Sequence, residues 1–103
     1  MNKIRIAQKP DWDSFCKLAA AEGWRVPEVE RQLFTGQWFE CARVLEEGNR
    51  FCGLVTSVGH QLSGWIGNLI VPARLRGCGR GSLLFNAARV ALQARGMTTV
   101  WLT

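Results

Sequence analysis

The 103-residue chain has no tyrosine, one histidine and three prolines, no lysine beyond Lys17 and no acidic residue beyond Glu47. Each shortage excludes something. His60 alone cannot complete a zinc set with Cys16, Cys41, Cys52 and Cys78, none of which forms a C-x-x-C pair, so no metal is expected. The chain also lacks the loop-rich character of a disulfide scaffold, and Cys16, Cys41 and Cys52 read as buried free thiols. No apolar run approaches the roughly 18–20 residues of a membrane span. The N-terminal segment lacks the apolar stretch of a signal peptide, and the reading is a cytoplasmic protein with no membrane partner. Repeats, low-complexity tracts and linkers are absent, and residues 1–103 are expected to form a single domain.

What is present is unevenly distributed. The net charge is +5, yet residues 1–50 carry eight basic and eight acidic residues, so the whole excess lies in Arg74, Arg76, Arg80, Arg89 and Arg95. A half-chain of one sign suggests an anionic partner, either a phosphorylated small molecule or a nucleic acid. Trp24, Trp38 and Trp65 are not interleaved with that cluster and read as core rather than as a base-stacking platform.

Hydrophobic periodicity and turn residues predict the elements. A strand covers residues 3–8 (β1). Pro10 and Asp11 open a helix (α1) with Asp13 in its first turn, a stripe of Trp12, Phe15, Cys16 and Ala19, and Gly23 as its stop. A short helix (α2) runs from Pro27 to Gly36 on Val29 and Leu33. Strands are predicted over 38–45 (β2), 51–58 (β3) and 65–71 (β4), antiparallel and joined by turns at 46–50 and 59–64, with Pro72 closing the third. A glycine-rich loop at 76–81 leads into a helix over 82–95 (α3), with Leu84, Ala87, Ala88, Ala91 and Ala94 facing inward and Gly96 as its stop. Residues 97–103 form a last strand (β5), whose apolar Val100, Trp101 and Leu102 leave an uncovered edge.

The chemistry sits in the order strand, glycine loop, helix. Closely spaced glycines let several N–H groups face one concavity, and the start of a helix adds its positive end, which together make a cradle for phosphate. A Walker loop would need Gly-Lys-Ser/Thr and a carboxylate for magnesium, and neither lies in this half of the chain. A dinucleotide fold would need G-x-G-x-x-G and an acid about 20 residues onward. Here the glycines read G-x-G-x-G and no acid follows.

The run Arg76-Gly77-Cys78-Gly79-Arg80-Gly81, with its flanking strand and helix, resembles motif A of the GNAT superfamily of N-acyltransferases, Q/R-x-x-G-x-G/A. The match is ungapped from Val71 through Phe85; a second register beginning at Arg74 needs a gap. The resemblance implies an α/β fold with a GNAT-like mixed sheet in the order β1-α1-α2-β2-β3-β4-α3-β5. It further implies a co-substrate, acetyl-CoA, and an amine acceptor. Leu69, Ile70 and Val71 would offer main-chain groups to the pantetheine arm, Leu69 or Ile70 polarising the thioester carbonyl. The amides of Gly77, Cys78, Gly79, Arg80, Gly81 and Ser82 would surround the pyrophosphate, with Arg76 and Arg74 adding charge.

Three departures bear on this. The family usually has an aliphatic residue at the position of Arg80. Its common glutamate on β4 is replaced by Asn68, which leaves the base unassigned, with Glu40 and His60 reading as surface residues. The C-terminal α4-β6-β7 portion, with its tyrosine acid, is not in the sequence, so a truncated domain is expected. An open β5 edge would then pair with a second copy as a homodimer or with a complementing chain. The leading reading is an acetyl-CoA-dependent N-acyltransferase or its N-terminal portion. The alternatives are a non-catalytic acyl-CoA-binding or oligomerising half-domain and, with nucleic acid an unlikely partner, a small basic nucleic-acid binder.

Overall fold

A computed structural model describes residues 2–102. Five strands form one sheet in the order β1-β2-β3-β4-β5: Asn2–Ile6, Ala42–Glu47, Arg50–His60, Ser63–Ile70 and Thr99–Leu102. The first three pairings are antiparallel, and β4 and β5 run parallel. The helices are α1 (Lys9–Ala21), α2 (Glu28–Thr35) and α3 (Arg80–Ala94). Gly48 and Asn49 both have positive φ, which is the two-residue turn whose twist suits the β2-β3 hairpin.

Successive residues of a strand face opposite sides of the sheet, and the core divides accordingly. Val44 and Leu54 join Trp12, Phe15, Ala19 and Phe34 of α1 and α2 on one face. Their sequence neighbours Leu45 and Val55 join Leu84, Ala88 and Leu92 of α3 on the other. The sheet is therefore a shared middle layer, and a parallel strand is reached only by crossing over through α3. No helix among the described residues is long and apolar enough to cross a membrane.

Several expectations are corrected. The β2 strand begins at Ala42, because Phe39–Cys41 forms a turn of 3-10 helix that lets Trp38 meet Phe34 edge-on at 5.5 Å. In α2 the buried residue is Phe34, stacked on Trp12 at 5.3 Å, while Val29 is exposed. In α3 it is Leu92 rather than Ala94 that reaches the sheet, in the space that Gly64 leaves. Trp24 and Trp65 are exposed rather than core. Cys41 and Cys52 are buried free thiols, Cys16 is half-buried, and Cys78 is exposed.

Asp11 sits at the start of α1, as expected, while Asp13 pairs with Arg31 on the surface. The Asp11 carboxylate accepts from the Gln8 amide at 2.7 Å and from both terminal nitrogens of Arg5 at 2.7 and 3.0 Å. Arg5 Nε also donates to Glu46 at 3.1 Å, which ties β1, α1 and β2 together. Burial alone pushes the Asp11 carboxyl up, but the bonds from Arg5 and the Gln8 amide hold it below its ordinary value. Such a group stabilises the fold above its unfolded pKa of about 3.9 and loses that contribution as pH falls through the lowered folded value. Asp11→Asn is expected to cost roughly 1–3 kcal/mol at pH 7. Urea titrations at pH 7 and pH 3 should show the gap between wild type and variant narrowing at the lower pH; a constant gap would contradict the assignment.

Candidate functional site

Pro72 ends β4, and a turn of 3-10 helix, Ala73–Leu75, swings the chain across the top of the sheet. Gly77 (φ +86°) and Gly79 (φ +84°) then hold the left-handed conformation that L side chains resist, which permits the sharp entry into α3. Gly79 is the residue preceding the helix, so no side chain caps the first turn. The first amide to bond backward is Leu83, to the Gly79 carbonyl at 3.1 Å. Among the described residues, no protein acceptor takes the amides of Gly77, Cys78, Gly79, Arg80, Gly81 or Ser82. A β-carbon placed on Gly77, Gly79 or Gly81 meets nothing within 4 Å. Val71, Arg76, Ser82 and four residues of the loop line a depression of about 510 Å³. Unspent amides, the positive end of a 15-residue helix and open space coincide, which is the physical requirement for holding a phosphate.

The arginines are placed differently from one another. Arg80 donates through Nε and Nη2 to Glu47, each at 2.9 Å, and through Nη1 to the Leu75 carbonyl at 3.0 Å. Its guanidinium is thus a brace between the loop and the end of β2, and what it presents to the depression is its backbone amide. The Arg80 bonds hold the Glu47 carboxyl below its ordinary value, and Glu47 pushes the guanidinium up. This accounts for the departure from an aliphatic residue at this position. Arg76 donates from Nε to the Val71 carbonyl at 2.9 Å and pairs with Glu22 at the end of α1, so it fastens the loop to the other face of the sheet. Arg74 is exposed and has no partner among the described residues.

Below the loop, β4 carries an irregularity that the sequence reading did not anticipate. Thr56 pairs with Gly67 and Leu54 with Ile70, so three steps on β4 oppose two on β3. The extra residue is a β-bulge at Asn68, whose φ of +53° belongs to the left-handed region that asparagine tolerates better than most. The Gly67-Asn68 dipeptide inside a strand pattern was the available signal. Asn68 Nδ2 donates to Glu30 Oε1 of α2 at 2.7 Å and to Thr56 Oγ1 at 3.3 Å, while Thr56 Oγ1 donates to the Gly67 carbonyl at 2.9 Å. Glu30 carries no signal in the sequence, because only the packing of α2 on the sheet brings it to the bulge.

Parallel pairing of β4 with β5 extends from Ser63↔Thr99 to Ile66↔Leu102. The bulge lies immediately beyond, where a cleft of about 620 Å³ opens. Its walls are Trp24 and Arg25 from the α1-α2 connection, residues 66–69 of β4, Phe85 of α3 and Leu102 of β5. Leu69 is half-buried, and Ile70 and Val71 are buried where the strand passes from this cleft to the glycine loop. Glu40 and His60 are exposed and line neither the cleft nor the depression.

No family model and no curated protein matches the chain. Solved structures do match in fold. Ard1 from Thermoplasma volcanium superposes with a TM-score of 0.85 at 21% identity, over 98% of this chain and 70% of its own. Glucosamine-6-phosphate N-acetyltransferase from Arabidopsis thaliana matches at 0.74 and 19% identity, over 100% and 82%. N-acetylglutamate synthase from Neisseria gonorrhoeae, complexed with coenzyme A and N-acetyl-glutamate, matches at 0.81 and 17% identity. That match covers 99% of this chain and only 25% of the synthase. The fold is that of the GNAT acetyltransferases, in the element order expected from the sequence.

Proposed function

We propose that this chain is, or is the N-terminal portion of, a cytoplasmic acetyl-CoA-dependent N-acyltransferase. The observation that carries the reading is the run of six unspent amides from Gly77 to Ser82 around open space at the start of α3. A diphosphate would satisfy that run. The pantetheine arm would follow β4 from Val71 through Ile70 and Leu69, bonding to main-chain groups on the β5 side of the strand, beyond the described pair Ile66↔Leu102. This brings the thioester to the bulge and the cleft. Bulging re-aims backbone N–H groups out of the ladder, and the amide of Leu69 or Ile70 would polarise the thioester carbonyl.

In the transfer itself, the acceptor nitrogen attacks the carbonyl carbon, a C–N bond forms and the C–S bond breaks. The proton lost by nitrogen is balanced by the one gained as the coenzyme leaves as free thiol. The protein contributes positioning and a polarising N–H, with no covalent intermediate on the chain. The remaining acceptor wall would come from a strand added to β5, on which Val100, Trp101 and Leu102 are exposed, supplied by a second copy or a complementing segment.

Thermal stabilisation tests this directly. Acetyl-CoA and free CoA are expected to raise Tm, whereas ATP without the pantetheine arm should do so weakly and duplex DNA not at all. Stabilisation by DNA alone would overturn the proposal. Binding of CoA without thiol release across a panel of amines would assign the chain to acyl-CoA binding instead.

A further inference from the structure

We infer that the Asn68 side chain seats the acceptor amine, receiving an N–H hydrogen bond on Oδ1. The inference rests on the acyltransferase reading and adds to it the group that recognises the acceptor. Asn68 lines the cleft from the one irregular residue of β4. An asparagine amide presents a donor end and an acceptor end, and its neighbours decide which faces where. Here they decide it without ambiguity. Glu30, an acceptor when ionised, is 2.7 Å from Nδ2. Thr56 spends its only hydroxyl proton on the Gly67 carbonyl, so toward Asn68 its oxygen is also an acceptor. Both Nδ2 protons are thereby committed to protein, and a flipped amide would set Oδ1 against the carboxylate. Oδ1 has no donor among the described residues. What the cleft offers is therefore a fixed carbonyl, suited to the N–H of a primary amine and unsuited to an acceptor that presents only lone pairs, such as an ether or ester oxygen. The Glu30 carboxylate beside it favours an amine that arrives as an ammonium.

The test uses the CoA-bound protein with benzylamine and glycinamide as probes, following the Asn68 side-chain amide by NMR and measuring affinity by calorimetry. Both amines should bind, and the Asn68 side-chain resonances should move on titration. Asn68→Gly removes the amide yet suits the positive φ of the bulge, so the strand should persist. It should weaken amine binding about tenfold or more, the usual consequence of losing a hydrogen bond to a charged group, while leaving CoA affinity within about twofold. Glu30→Ala frees the amide to rotate and should weaken amine binding severalfold, and Glu30→Gln, which keeps an acceptor oxygen but not the charge, should restore part of it. Amine binding unaffected by Asn68→Gly, stationary Asn68 resonances, or no amine binding in the presence of CoA would each overturn the inference. Failure of CoA itself to bind would overturn the acyltransferase reading, and with it this one.

Discussion

Gly81→Val is expected to abolish CoA binding while leaving the fold intact. Gly81 lies in the first turn of α3 with an ordinary helical φ, and a β-carbon there meets only open space. Valine suits a helix at least as well as glycine does, so the unfolding free energy should change by less than about 0.5 kcal/mol. The ligand sees a different surface. Two methyl groups would stand where a diphosphate must approach the amides of Arg80, Gly81 and Ser82. Each such charge-assisted bond contributes on the order of 1.5–3 kcal/mol, so blocking two of them should lower affinity by at least about 100-fold. Calorimetry with CoA and urea denaturation on the same preparation separate the two effects. Retained affinity would place the phosphate elsewhere. Gly79→Val is a poorer probe, because its φ of +84° adds backbone strain to any loss of binding.

The glycine loop could be read from the sequence because its chemistry is local. Gly77 and Gly79 carry conformations that few other residues adopt, Pro72 ends a strand wherever it falls, and the amides they expose belong to one continuous stretch of chain. Whatever depends on packing between distant segments could not be read so. An arginine at position 80 stood out as a departure from the family pattern, but its partner Glu47, 33 residues earlier, is brought beside it only by the fold of β2. The contact between Glu30 and Asn68 spans 38 residues and joins a helix to a bulge that no periodicity announces. The tryptophans misled for a related reason: aromatic content marks buried surface on average, but Trp24 lies on a connection that borders the cleft and remains largely exposed. The same blindness applied to Trp38, where β-propensity predicted a strand and aromatic packing against Phe34 produced a turn.

Gly53→Val makes the opposite case, with the fold as the casualty. Gly53 lies in the middle of β3 beneath α3, buried, with φ +153° opposite the irregularity between Leu45 and Glu46. A β-carbon there would come within 2.7 Å of Leu84 Cδ1 and 2.8 Å of the Ile70 carbonyl oxygen. The first neighbour is a fully buried side chain of the α3 face and the second is backbone of β4, so neither yields without displacing the helix or breaking the β3-β4 ladder. Overpacking of this kind typically costs 1–3 kcal/mol, occasionally more, and backbone strain adds roughly 1–3 kcal/mol. Against the ~5–15 kcal/mol of a small domain, that sum removes a large part of the total stability. Gly53→Val should accordingly lower the urea midpoint steeply or prevent folding altogether. Because Ile70 belongs to the stretch of β4 that leads to the glycine loop, any folded remnant should also bind CoA poorly. A variant that unfolds at the wild-type midpoint would show that α3 does not rest on β3 as described, and the start of that helix could then no longer be aimed at the depression beside the glycine loop.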